Sequence, residues 1–160
     1  MAKVFQQKFQ VDLPLRDAIS RLSSKEFLKQ VISSSEPLES NLKVKHSNQK
    51  FEVEISRKFA LELDGPIAAA AGKSITLNEH RSWEITDSNT AVGNYEATAI
   101  EQPITLAGSM QATATADASC VIDFDLVLRC SIPFFGGMVE KFAMEYLGEV
   151  IELELKALNS

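Results

Sequence analysis

Basic residues are too scarce in this chain to build an attractive surface for polyanions. Sixteen Lys and Arg stand against 22 Asp and Glu, a formal net charge of −6, and no Lys/Arg run occurs. Nucleic acid and anionic lipid surfaces need a basic patch, so nucleic acid is not an expected partner. Two His and two Cys, in no Cys-x-x-Cys or His-x-x-x-His spacing, give no dedicated metal site, and no cofactor is expected. Nowhere do about 18 uncharged apolar residues follow one another. The opening MAKVFQQKFQVDLPL alternates where a signal peptide would be continuously apolar. The expectation is a soluble, cytoplasmic protein without an integral membrane segment, and 160 residues suit a single domain spanning positions 1–160.

Cys120 and Cys130 fall in one predicted strand, where ten residues separate them by roughly 33 Å, too far to bridge each other. Their shared parity predicts two buried free thiols.

What the chain does have is periodicity. Lys3 to Leu13 alternates, with Phe5, Phe9, Val11 and Leu13 on one side, and ends at Pro14. The period then changes: Leu15, Ile19 and Leu22, then Phe27, Leu28, Val31 and Ile32, predict two short helices, the second capped by Ser23 or Ser24. Period two resumes at Leu42 and Val44 and continues through KFEVEISRKFALEL, SITLNEHRSWEI, TAVGNYEATAI, ITLAGSMQATATAD and SCVIDFDLVLRCSI, interrupted by DGPIAAAAGK as a loop or helical turn. After SIPFFGG the period is helical again, and Val139, Phe142, Ala143, Tyr146, Val150, Leu153 and Ala157 form the predicted inward stripe. The expected fold is α+β: a curved antiparallel sheet of about six to seven strands, two short helices after strand 1 and a long C-terminal helix.

Three stretches carry a family resemblance. VDLPLRDAISRLSSKEFLKQ resembles the entry strand and paired helices of the START-like, or Bet v 1-like, helix-grip superfamily. EHRSWEI resembles the Trp-bearing strand of an actinobacterial family of unknown function, DUF2505, and SIPFFGGMVEKF resembles the same family's strand-to-helix junction, Pro-hydrophobic-Gly-Gly-x-hydrophobic-Glu. The resemblance implies a sheet wrapped around the last helix and a pocket between them. Members of the superfamily typically hold a lipid, sterol, polyketide or quinone there, and some are cyclases.

Inward parity also carries residues foreign to a plain core. Arg57 interrupts Phe51, Val53, Ile55 and Phe59, while Glu79 and Arg81 interrupt Ile75, Leu77, Trp83 and Ile85. Consecutive antiparallel strands bring Arg57 near Glu79. Either the three line a cavity and bind the polar end of an apolar ligand, or they pair structurally or sit at a solvated bulge. Trp83, Tyr95, Met110, Phe124, Val139, Phe142 and Tyr146 complete the candidate lining, with Trp83 and Tyr95 also serving as packing residues. Phe134, Phe135, Gly136 and Gly137 are candidates for the cavity entrance. The paired glycines read as the corner that turns the last strand onto the helix, since a phosphate-binding fingerprint needs more glycines and a parallel sheet. Glu79, with its pKa raised by burial, is the first candidate acid or base.

The expected function is binding of an apolar small molecule or lipid by a monomer or weak dimer, more a binding protein than an enzyme. The competing readings are a cyclase or dehydratase using the same cavity and a non-catalytic interaction module.

Overall fold

The computed structural model describes residues 2–60, 65, 69, 72–100, 103–116, 118–131 and 136–160, with the backbone alone at Phe142. β1 (Ala2–Val11) leads into α1 (Leu15–Leu22) and α2 (Lys25–Ser34). Six strands follow: β2 (Glu39–His46), β3 (Lys50–Ala60), β4 (Ser74–Asp87), β5 (Thr90–Ala99), β6 (Ile104–Ala116) and β7 (Ser119–Cys130). The long helix α3 (Gly136–Leu158) ends the chain. All seven strands join one antiparallel sheet in the order β1-β7-β6-β5-β4-β3-β2. This element order is the one expected from the periodicities, and it is the helix-grip architecture that the resemblance implies.

Local chemistry explains the helix starts. Pro14, at φ −56° and ψ 150°, turns the chain out of β1 immediately before α1. At α2 the Ser24 hydroxyl accepts from the Phe27 backbone N–H at 3.2 Å and satisfies one of the unpaired first-turn donors. Most of DGPIAAAAGK lies outside the described residues.

Two glycines allow neighbouring strands to approach closely. A Cβ on Gly93 would stand 2.2 Å from the Ser82 carbonyl oxygen, and one on Gly108 would stand 2.1 Å from that of Asp125. Both positions face inward, between large neighbours: Gly93 lies opposite Trp83 and Met110, and Gly108 opposite Tyr95 and Leu126.

The core lies between the inner face of the sheet and the three helices. Ile19 and Leu28 from the short helices, Ile122 and Leu126 from β7, and Leu158 from α3 are fully buried. Cys120 and Cys130 are buried free thiols, and burial raises the Cys120 thiol pKa.

The inward stripe of α3 departs in part from the predicted one: Val139, Ala143 and Ala157 pack against the core as expected, but the buried positions lie elsewhere. Leu147, Ile151, Leu155 and Leu158 are buried, whereas Leu153 is 58% exposed and Tyr146 40% exposed. Apolar residues occur on more than one face of this helix, so its periodicity admits two phases. Burial selects the phase that also takes Glu140 and Glu154 inward. The C-terminal end of α3 is clamped: the Asn159 side chain accepts from the Asp12 backbone N–H at 2.8 Å and donates to the Gln10 carbonyl at 3.1 Å. Arg21 donates to the Leu158 and Ser160 carbonyls.

Candidate functional site

Strand register assembles a buried ionic network from the three charged sheet residues predicted to face inward. Ile55 lies opposite Glu79 and Val53 opposite Arg81, so Arg57 reaches Glu79 diagonally across one pair of strands. One Arg57 Nη2 proton is donated to Glu79 Oε1. The other carboxylate oxygen, Oε2, accepts from Arg81 Nη2 at 3.0 Å and from the Tyr95 hydroxyl at 3.0 Å. Arg81 Nη1 donates to Glu154 Oε1 at 2.6 Å and thereby joins the sheet to α3. Arg57, Glu79, Arg81 and Glu154 are all buried, so they are interior groups rather than members of a solvated edge.

Two positive and two negative side chains balance here. Burial alone would raise the Glu79 carboxyl, but the adjacent Arg81 and Arg57 guanidiniums outweigh it and hold the pKa down at about 2. The expected rise is thus reversed, and Glu79 is a fixed anion at neutral pH rather than a poised acid. Burial works against the Arg81 charge, yet Glu154 and Glu79 push its pKa well above the ordinary value. For Tyr95, burial and then the Glu79 charge raise the phenol pKa, keeping it a neutral donor.

Beneath the C-terminal half of α3 the packing is nearly complete. Trp83, Tyr95, Met110 and Phe124 are buried, and with Leu22, Val53, Arg81, Ile151, Glu154 and Leu155 they enclose about 20 Å³, space for roughly one water molecule. The N-terminal half is different. Tyr146 is partly exposed and packs edge-on against Phe59 at 5.4 Å, and the Phe59 ring lies 6.0 Å from the Arg57 guanidinium. Burial raises the Tyr146 phenol pKa, with opposing smaller influences from Arg57 and Glu79. Val139 is half-buried, and Gly136 and Gly137 open α3, with Gly137 exposed. Phe134, Phe135 and the Phe142 side chain lie outside the described residues. On the sheet, the inward positions of the rows through Glu79 and Arg57 include the small side chains of Ala97 and Ala99, both buried.

Several buried polar atoms have no partner among the described residues. They are Arg57 Nε and Nη1, Arg81 Nε, the Ser23 hydroxyl and both carboxylate oxygens of Glu140. Glu154 and Glu140 carry no role in the sequence reading, although Glu140 is the glutamate of the GGMVEKF junction. Their signal was the second helical phase, in which Glu140, Leu147, Ile151, Glu154 and Leu158 succeed one another at steps of seven, four, three and four.

The outer face of the sheet holds an open hollow of about 500 Å³ among chiefly polar side chains, including Lys43, Glu54, His80 and Glu96. His80 is exposed there, as its parity predicts. No group of His, Cys, Asp and Glu suited to a metal ion occurs among the described residues. No described helix is long and apolar enough to cross a membrane.

Sequence comparison with curated proteins finds no match. Among solved structures, TTHA0849 from Thermus thermophilus is similar over 98% of this chain and 94% of its own, at 16% identity and a TM-score of 0.61. Human STARD10 is similar over 97% of this chain and 62% of its own, at 12% identity and a TM-score of 0.63. Norcoclaurine synthase from Thalictrum flavum, solved in complex with dopamine and hydroxybenzaldehyde, is similar over 99% of this chain and 86% of its own, at 11% identity and a TM-score of 0.53. At these identities the likeness is one of fold, and the fold is START-like. The family model described as a protein of unknown function, DUF2505, matches residues 6–160, and the chain belongs to that family.

Proposed function

We propose that the protein binds an apolar small molecule or lipid between the sheet and the N-terminal half of α3, with Arg57 taking the acceptor at the molecule's polar end. The observation that carries this reading is the pair of buried Arg57 donors, Nε and Nη1, left without a partner among the described residues, beside Phe59 and Tyr146. Burying a charged group with unmet hydrogen bonds is unfavourable, and an acceptor brought by a ligand removes that cost. Glu79 and Arg81 serve in this reading as the frame that holds Arg57 in place. A neighbour of the same fold, norcoclaurine synthase, is solved with two small aromatic molecules, which is in keeping with a fold that accommodates such guests.

Acid–base chemistry through Glu79 is not favoured, because its two guanidinium partners keep it ionised. Titration with anilinonaphthalene sulfonate, an aromatic anion that brightens in apolar surroundings, tests the binding reading. The expected result is saturable, blue-shifted emission, displaced by fatty acids. Absence of saturable binding to the folded protein would remove the reading's basis.

A further inference from the structure

We propose that Glu140 is a second recognition group in the interior, selecting ligands that carry, at a distance from the acceptor met by Arg57, a hydrogen-bond donor, either a hydroxyl or a protonated amine. This rests on the binding reading above and narrows it from any apolar molecule with an acceptor to a class bearing both functions.

Glu140 is 0% exposed, and neither carboxylate oxygen has a hydrogen-bond partner among the described residues. Its place on α3 explains the burial. It shares the inward face with Leu147, Ile151 and Leu158, at the end of the helix opposite the Asn159 clamp. The helix also has a known alignment over the sheet. Glu154 meets Arg81, which pairs with Val53, and Tyr146 meets Phe59, which pairs with Ile75. Arg57 falls between Val53 and Phe59 on β3, and Glu140 lies six residues, or about 9 Å, beyond Tyr146 along the helix. Arg57 from the sheet and Glu140 from the helix thus both face the interior but stand apart along the helix, with two donors of the one and two acceptors of the other unpartnered among the described residues.

The two kinds of buried carboxylate in this molecule are treated differently. Glu79 and Glu154 each have a guanidinium partner, whereas nothing in the described chain satisfies Glu140. A core position that needed only volume would be filled better by Leu or Met, because an unpaired buried acid opposes folding. A donor on the ligand supplies the missing partner. An acid with no donor beyond its carboxylate meets Arg57 but leaves Glu140 unmatched.

The test compares tetradecanoic acid with its 6-hydroxy, 9-hydroxy and 9-amino derivatives, below their micelle concentrations, as displacers of anilinonaphthalene sulfonate. Wild-type protein is expected to bind at least one donor-bearing derivative about tenfold more tightly than the parent acid, the scale of a satisfied hydrogen bond to a charged group. Glu140→Leu is expected to abolish that advantage while leaving the parent acid's affinity unchanged or improved. Glu140→Gln is expected to abolish the advantage of the amino derivative in particular, since it keeps the shape and loses the charge. Both variants should match or exceed the wild-type melting temperature without ligand. If the parent acid binds wild-type protein as well as every derivative, or the advantage survives in Glu140→Leu, the inference is overturned. A lowered melting temperature in both variants with selectivity intact would likewise assign Glu140 a structural role. Failure of the dye and of all four acids to bind would instead remove the binding reading itself, and this inference with it.

Discussion

Glu79 is the residue on which the buried network turns, since it accepts from Arg57, Arg81 and Tyr95 at once. Neutralising it takes the counter-charge from Arg57 and leaves Arg81 with Glu154 alone. Glu79→Gln should therefore lower stability by about 3–5 kcal/mol, the usual cost of breaking a buried pair from one side, as read from the midpoint of urea unfolding. The same carboxylate makes stability depend on acid. Its folded pKa of about 2 lies below the ordinary 4.5, so its contribution is present above pH 4.5 and is lost as pH falls toward 2. That contribution is on the order of 3 kcal/mol, and in Glu79→Gln this part of the acid transition should disappear. Tyr95 acts at the other extreme. Its folded pKa is raised above the ordinary 10.0, so its contribution holds below pH 10 and declines as the unfolded phenol ionises above it; Tyr95→Phe should flatten that alkaline loss. The sequence made Arg57, Glu79 and Arg81 legible because strict alternation exposes a charge on an apolar parity. It could not show the direction of the Glu79 shift, which depends on how many guanidiniums converge on one carboxylate.

Elements differ in how much of their placement periodicity decides. A strand has two faces, so one charged or apolar residue at each step assigns it, and the inward sets of β3, β4 and β7 follow the predicted parity. A helix has a continuous circumference. In α3, Val150 and Leu153 compete with Leu147, Ile151 and Leu155, and only packing against the sheet separates the two phases. Ile151→Ala should accordingly cost about 2–5 kcal/mol, while Leu153→Ala should stay within about 0.5 kcal/mol of wild type, both by chemical denaturation. The reverse ranking would restore the predicted stripe. Missing this phase also concealed Glu140 and Glu154, because an acidic residue on an amphipathic helix is ordinarily assigned to the solvent face. Gly108 makes the complementary point for strands. Its role is set by the Asp125 carbonyl 2.1 Å from where a Cβ would stand, a contact made by a neighbour distant in sequence. Gly108→Ala should lower the melting temperature clearly, since backbone rather than a flexible side chain must yield.

At the scale of the whole molecule, the order of periods specified the fold: strand, two short helices, a run of strands and a final helix admit few arrangements that bury every apolar face. The division of the interior was not legible in that order. Near the C-terminal end of α3, the Asn159 clamp, the Glu154–Arg81 ion pair and a void of only about 20 Å³ make a tightly packed region. Toward its N-terminal end, small inward residues and the polar groups of Arg57 and Glu140, unpartnered among the described residues, mark the half proposed to receive a ligand. Native mass spectrometry of the mildly purified protein, after incubation with a bacterial lipid extract, tests that division most directly. The account predicts a stoichiometric adduct of one apolar molecule on wild-type protein, and its loss in a folded Arg57→Met variant. A wild-type protein that carries no adduct, or an Arg57→Met protein that retains it undiminished, would contradict it.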